Sequence, residues 1–73
     1  MLVELIGRSG CHLCDDAVIQ LREAGVNVVE RDVDSDPELL RLYDFRVPVL
    51  LIEGRVFAEG RINAQQIARL LGT

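Results

Sequence analysis

The apolar pattern changes period across a four-residue gap, and both cysteines stand at the change. Leu2 to Ile6 reads as a strand, and Gly7-Arg8-Ser9-Gly10 has loop composition. From Cys11 to Ala24 the repeat is helical: Cys14, Ala17, Val18 and Leu21 fall at i, i+3, i+4 and i+7 and form one buried stripe. Asp15, Asp16, Arg22 and Glu23 fall largely on the wet side. Cys11-His12-Leu13-Cys14, which holds both cysteines and the one histidine, therefore sits where a strand hands over to a helix. Gly25 supplies a stop in the left-handed region. The loosely alternating, β-branched stretch Val26 to Val33 then reads as a second strand, giving a β-α-β unit.

Asp34-Ser35-Asp36-Pro37 breaks that strand. Asp36 is placed to cap a helix whose first position is Pro37, where a missing N–H costs nothing. That helix runs to about Tyr43 and is expected to bury Leu39, Leu42 and Tyr43. Val47 to Ile52 is a continuous apolar run and reads as a central, fully buried strand. Glu53-Gly54 makes a two-residue turn into an antiparallel strand, Arg55 to Glu59, which Gly60 ends. Asn63-Ala64-Gln65-Gln66 is a capping box. The helix behind it should bury Ala64, Ile67, Ala68 and Leu71 and close at Gly72. The order β-α-β-α-β-β-α predicts an α/β domain: a four-stranded mixed sheet flanked by three helices.

The chain has 73 residues, so residues 1–73 are read as one domain, with a monomer as the default. With 49% hydrophobic residues and no tryptophan, its core must be aliphatic. The net charge of −4 disfavours nucleic acid, whose phosphates an acidic domain repels. No apolar run is long enough to cross a membrane. The apolar start is short and has no basic residues before it, so it is not read as a signal peptide. These features point to the cytoplasm, where thiols stay reduced and a lone CxxC is more often catalytic or metal-binding than a structural staple.

Residues i and i+3 of a helix are neighbours, so the two sulfurs can meet without distorting the backbone. Cys11, at the helix N-terminus, lies near unpaired N–H groups and the positive end of the dipole. Thiols so placed titrate at roughly 3.5–7.5 rather than about 8.5. Cys14, one turn further in on the buried stripe, should stay protonated. The asymmetry suggests that Cys11 attacks a substrate disulfide and Cys14 resolves the mixed disulfide. His12 either favours the thiolate or is a solvent-exposed side chain with a weak field. Arg8 either stabilises the thiolate, holds a substrate carboxylate, or is one of eight surface arginines. Pro48 interrupts a run that otherwise reads as a central strand. A cis Val47–Pro48 bond resolves the conflict and leaves the Val47 N–H and C=O free to pair with an extended peptide or glutathione; a trans proline at the strand entrance is the alternative.

These segments together resemble a glutaredoxin-like protein with a minimal thioredoxin fold. The resemblance spans nearly the whole chain and rests on Arg8-Ser9-Gly10-Cys11-His12-Leu13-Cys14, Asp32 to Leu39, Val47-Pro48-Val49 and the Glu53-Gly54-Arg55 hairpin. It implies a thiol–disulfide oxidoreductase with Cys11 as nucleophile, Cys14 as resolving thiol and Pro48 as the cis proline. Arg8 matches the basic residue that glutaredoxins carry three positions before the first cysteine, and the candidate substrate contacts are Arg8, His12, Val47, Pro48 and Gly60. The implied substrates are protein disulfides or glutathione, with glutathione as a possible co-substrate, no bound cofactor and a thioredoxin reductase as a possible recycling partner. His12-Leu13 replaces the usual Pro-Tyr of glutaredoxins. Glu59-Gly60-Arg61-Ile62-Asn63 stands where they carry Gly-Gly-x-Asp, and Leu5 stands where thioredoxins carry a buried acid.

Two other classes compete. A soft-metal module would use the CxxC thiolates, which suit Cu(I). Small copper carriers generally place Met two residues before the first cysteine, where this chain has Ser9, and follow their second strand with another strand. Structural zinc needs four ligands, and only Cys11, Cys14 and the adjacent His12 are soft candidates. An interaction domain that keeps the redox fold without turnover is the third class.

Overall fold

A computed structural model of the chain describes residues 1–72. The elements run β1 (Val3–Gly7), α1 (His12–Glu23), β2 (Val28–Asp32), a short 3₁₀ turn (Val33–Ser35), α2 (Pro37–Tyr43), β3 (Val49–Ile52), β4 (Arg55–Glu59) and α3 (Ala64–Leu70). This is the order read from the sequence. The four strands form one sheet in the order β2-β1-β3-β4. β1 pairs parallel with β2 and antiparallel with β3, and β3 pairs antiparallel with β4, so the sheet is mixed.

β1 sorts the core into two layers, because successive side chains of a strand point to opposite faces. Val3 and Leu5 pack with Ala17, Val18 and Leu21 of α1, Leu50 of β3 and Ile67 of α3. Ile6 faces the other way, with Val33, Leu39, Val49 and Leu51. Helices α1 and α3 thus cover one face and α2 the other. The α2 layer is short, and Glu4 lies on that same face. Its buried carboxylate accepts a hydrogen bond from Arg31 Nη1 at 3.1 Å.

The local signals act as their chemistry dictates. Asp36 caps α2 by accepting the Glu38 N–H at 2.8 Å, with Pro37 in the first turn. Asn63 and Gln66 complete a reciprocal capping box. Glu53 and Gly54 both have positive φ, 51° and 78°, as a two-residue hairpin whose twist matches the strands requires. Among the described residues, no helix is long and apolar enough to cross a membrane.

The expected burial of Leu42, Leu71 and Ala64 is corrected. Leu42 is 41% exposed, because α2 makes only two turns and presents Leu39 to the sheet. In α3, Leu70 packs on the core while Leu71, the C-cap, is 47% exposed and Ala64 is exposed at the first turn. β2 is an edge strand, with Val29 to Asp32 all exposed. Leu50→Ala should therefore cost about 2–5 kcal/mol of unfolding free energy. Leu42→Ala should stay within about 0.5 kcal/mol of wild type. Urea unfolding of both variants checks the layer assignment, and equal losses would contradict it.

Candidate redox site

Strand register brings distant segments to one end of the sheet. Gly7 of β1 lies opposite Asp32, Ile6 opposite Val49, and Val49 opposite Glu59. The loop after Gly7 leads to Cys11, Val47-Pro48 precedes Val49, and Gly60 follows Glu59. Cys11, Pro48 and Gly60 are thereby gathered from three connections, with Cys14 in the first turn of α1.

Cys11 is the N-cap of α1. Its backbone is extended, and its Sγ accepts the Cys14 N–H at 3.2 Å. A sulfur thus takes the place of the usual capping oxygen and satisfies one of the orphan donors of the first turn. Cys11 and Cys14 are joined as a disulfide, with Cα atoms 5.3 Å apart. Cys11 is half-buried and Cys14 is 4% exposed, so only the first sulfur is open to a partner. Gly7 makes room for the second. A Cβ at Gly7 would lie 3.1 Å from Cys14 Cβ and 3.3 Å from its Sγ. His12 and Leu13 are exposed, with His12 the first helical residue.

The Val47–Pro48 peptide bond is cis. The Pro48 carbonyl accepts the Gly60 N–H at 2.8 Å, which ties the start of β3 to the end of β4. Gly60 has φ +74°, a turn conformation that glycine takes readily. Among the described residues, no hydrogen bond engages the main-chain N–H or C=O of Val47. Arg46, one residue earlier, forms a two-point pair with Glu59 at 2.8 and 3.0 Å and lies 5.2 Å over the Tyr43 ring. That pairing holds Arg46 above the ordinary guanidinium range and Glu59 below the ordinary carboxylate range.

Arg8 is more heavily bound than the sequence suggests. Its Nε donates to Asp34 Oδ2 at 2.8 Å and its Nη2 to Asp34 Oδ1 at 3.0 Å. Nη1 donates to the Asp44 carbonyl at 3.1 Å, and Nη2 also donates to Asp44 Oδ1. The hydrogen bonds to Asp34 first, and Asp44 second, raise the Arg8 pKa; Arg8 lowers that of Asp34. Sequence analysis missed Asp34, Asp44 and the Arg46–Glu59 pair, because partners 26, 36 and 13 positions apart carry no local signal. A cleft of about 350 Å³ opens beside Cys14, lined by Gly7, Arg8, Asp15, Arg31 and Asp32 among others. It lies toward the β2 edge, away from the Pro48–Gly60 ridge. Among the described residues, no three His, Cys, Asp or Glu side chains converge as a metal site would require.

The arrangement has measurable likenesses. The X-ray structure of target protein XcR50 from X. campestris matches with a TM-score of 0.81 and 33% identity, covering 96% of this chain and 95% of that one. The solution structure of Ne2328 from Nitrosomonas europaea has a TM-score of 0.78 and 28% identity, covering 94% and 88%. The crystal structure of a mutant of the thioredoxin-like protein BC3987 has a TM-score of 0.75 and 26% identity, covering 94% and 97%. None of the curated proteins matches. The fold is thioredoxin-like, as the sheet order and helix placement already indicate. The sequence model of the Glutaredoxin-like domain (DUF836) aligns with residues 2–72, and the chain belongs to that family.

Proposed function

We propose that this protein is a thiol–disulfide oxidoreductase that uses Cys11 and Cys14 on protein or glutathione disulfides. One observation carries the reading: the sulfur of Cys11 caps α1 at 3.2 Å from the Cys14 N–H, half-exposed, and is paired with a buried second sulfur. In the reduced protein, the same N–H and the helix dipole favour a Cys11 thiolate. That thiolate attacks one sulfur of a substrate disulfide, forms a mixed disulfide and releases the other sulfur as a thiolate, which takes up a proton. Cys14 then loses its proton and attacks Cys11 Sγ. The second substrate sulfur leaves, and the Cys11–Cys14 disulfide seen here forms. The substrate gains two electrons and two protons, and the protein dithiol loses them.

The substrate-binding edge belongs to the same proposal. The free N–H and C=O of Val47 offer one rung of main-chain pairing to an extended segment. Pro48 and Gly60 form the ridge beside it, and the exposed His12 borders the nucleophile. Recycling by glutathione or by a thioredoxin reductase, action in the cytoplasm and a monomeric state complete the proposal.

Cys14→Ser should trap the mixed disulfide with a substrate. Cys11→Ser should give none, and the wild type should pass through to free product. Mass spectrometry after an acid quench reads all three, and a trapped adduct on Cys11→Ser would overturn the assignment of roles. Gly7→Ala should crowd Cys14, destabilise the fold by about 1–3 kcal/mol and slow the resolving step, read as mixed disulfide accumulating in a chain with both cysteines. Unchanged stability and resolution would show that the Cys14 sulfur has room the geometry denies it.

A further inference from the structure

We propose that Arg8 is a positioning residue for the exchange reaction, and the inference rests on the oxidoreductase reading. A guanidinium has five N–H donors in a fixed fork. Arg8 directs four of them to Asp34 and Asp44. A single cation facing two carboxylates has no surplus positive charge to offer a thiolate or a substrate carboxylate. With four of its five N–H donors engaged, the guanidinium has one left for an incoming anion and cannot offer a two-point grip.

What the fork does instead is mechanical. The Arg8 carbonyl accepts the Cys11 N–H at 3.2 Å, so Arg8 and the nucleophile belong to one turn of backbone. Asp44 is the C-cap of α2, and the Arg46 N–H bonds back to the Tyr43 carbonyl at 2.9 Å, so the chain from α2 to Val47 is a tight turn. Asp34 lies in the 3₁₀ turn after β2. One side chain therefore fastens three otherwise separate connections at the same sheet end. It sets the Cys11 loop against the Val47-Pro48 edge, along which the substrate chain must lie if its disulfide is to face the sulfur. Loosening that setting is costly, since reacting atoms about 1 Å out of place lose on the order of 100-fold in rate.

The test separates positioning from charge. Reduced wild type, Arg8→Ala, Arg8→Lys and Asp44→Ala would each be reacted with an uncharged peptide disulfide and with glutathione disulfide. The pH profile of Cys11 alkylation by iodoacetamide would be recorded alongside. Lysine keeps the charge but not the fork. Arg8→Ala and Arg8→Lys should both lose about 10- to 100-fold in rate with both disulfides, while the alkylation midpoint of the charge-keeping Arg8→Lys stays at the wild-type pH. Asp44→Ala should show a smaller loss in the same direction, and it carries the test if the Arg8 variants do not fold. Full activity in Arg8→Lys, or a rate loss in Arg8→Lys fully accounted for by an upward shift of its alkylation midpoint, would assign Arg8 to the thiolate and overturn the proposal. A loss confined to glutathione disulfide would make it a substrate anchor, with the same result, and an unchanged rate in Asp44→Ala would also overturn it. If wild type exchanges with neither disulfide, the oxidoreductase reading falls and this inference with it.

Discussion

The backbone N–H of Cys14 points at the sulfur of Cys11 across 3.2 Å, and that contact requires α1 to begin at His12. Moving the helix start by one residue in either direction would carry the sulfur off the cap position and rotate Cys14 by about 100° off the buried stripe. The contact is also favoured by β1 ending at Gly7, since a Cβ there would sit 3.1 Å from Cys14 Cβ and crowd it against the strand. The placement of the two sulfurs, one half-buried at a helix N-terminus and one buried behind it, follows from this single junction.

The rest of the fold supports that junction from two sides. Val3 and Leu5 hold β1 against α1 and α3, and Ile6 holds it against the α2 layer. A strand covered on both faces cannot slip its register without turning its apolar set outward. The antiparallel pairing of β3 with β1 then places Val47-Pro48 at the same end as Gly7, and the Gly60–Pro48 hydrogen bond extends that edge to β4. The ion pairs of Arg8 and Arg46 are partly exposed and contribute little to stability on their own. Their value lies in where they tie the chain. Arg8 ties the loop before Cys11 to the turns after β2 and α2, and Arg46 ties the chain before Val47 to the end of β4.

Much of this was legible in the residues. Asp36-Pro37, Glu53-Gly54 and the Asn63–Gln66 box act through contacts within a few positions, so their signals survive without tertiary knowledge. The period of Cys14, Ala17, Val18 and Leu21 marked the buried face of α1 correctly, because a three-turn helix averages over enough positions. The same reasoning failed for Leu42 and Leu71. In seven-residue helices the buried face is chosen by the sheet beneath, and one residue at an end can face either way. The two arginine clamps were illegible for a different reason. Opposite charges far apart in sequence attract one another whatever the fold, and only the completed sheet decides which of eight arginines meets which of twelve acids.

The most direct test of a working dithiol at this helix N-terminus is its equilibrium reduction potential. Wild-type protein would be poised in a series of thiol–disulfide buffers, and the Cys11–Cys14 pair read by trapping free thiols. The account predicts reversible exchange with a midpoint roughly between −270 and −180 mV, the span from thioredoxin to protein disulfide isomerase. A pair that never closes in these buffers, or that stays closed at potentials below about −300 mV as structural disulfides do, would contradict it.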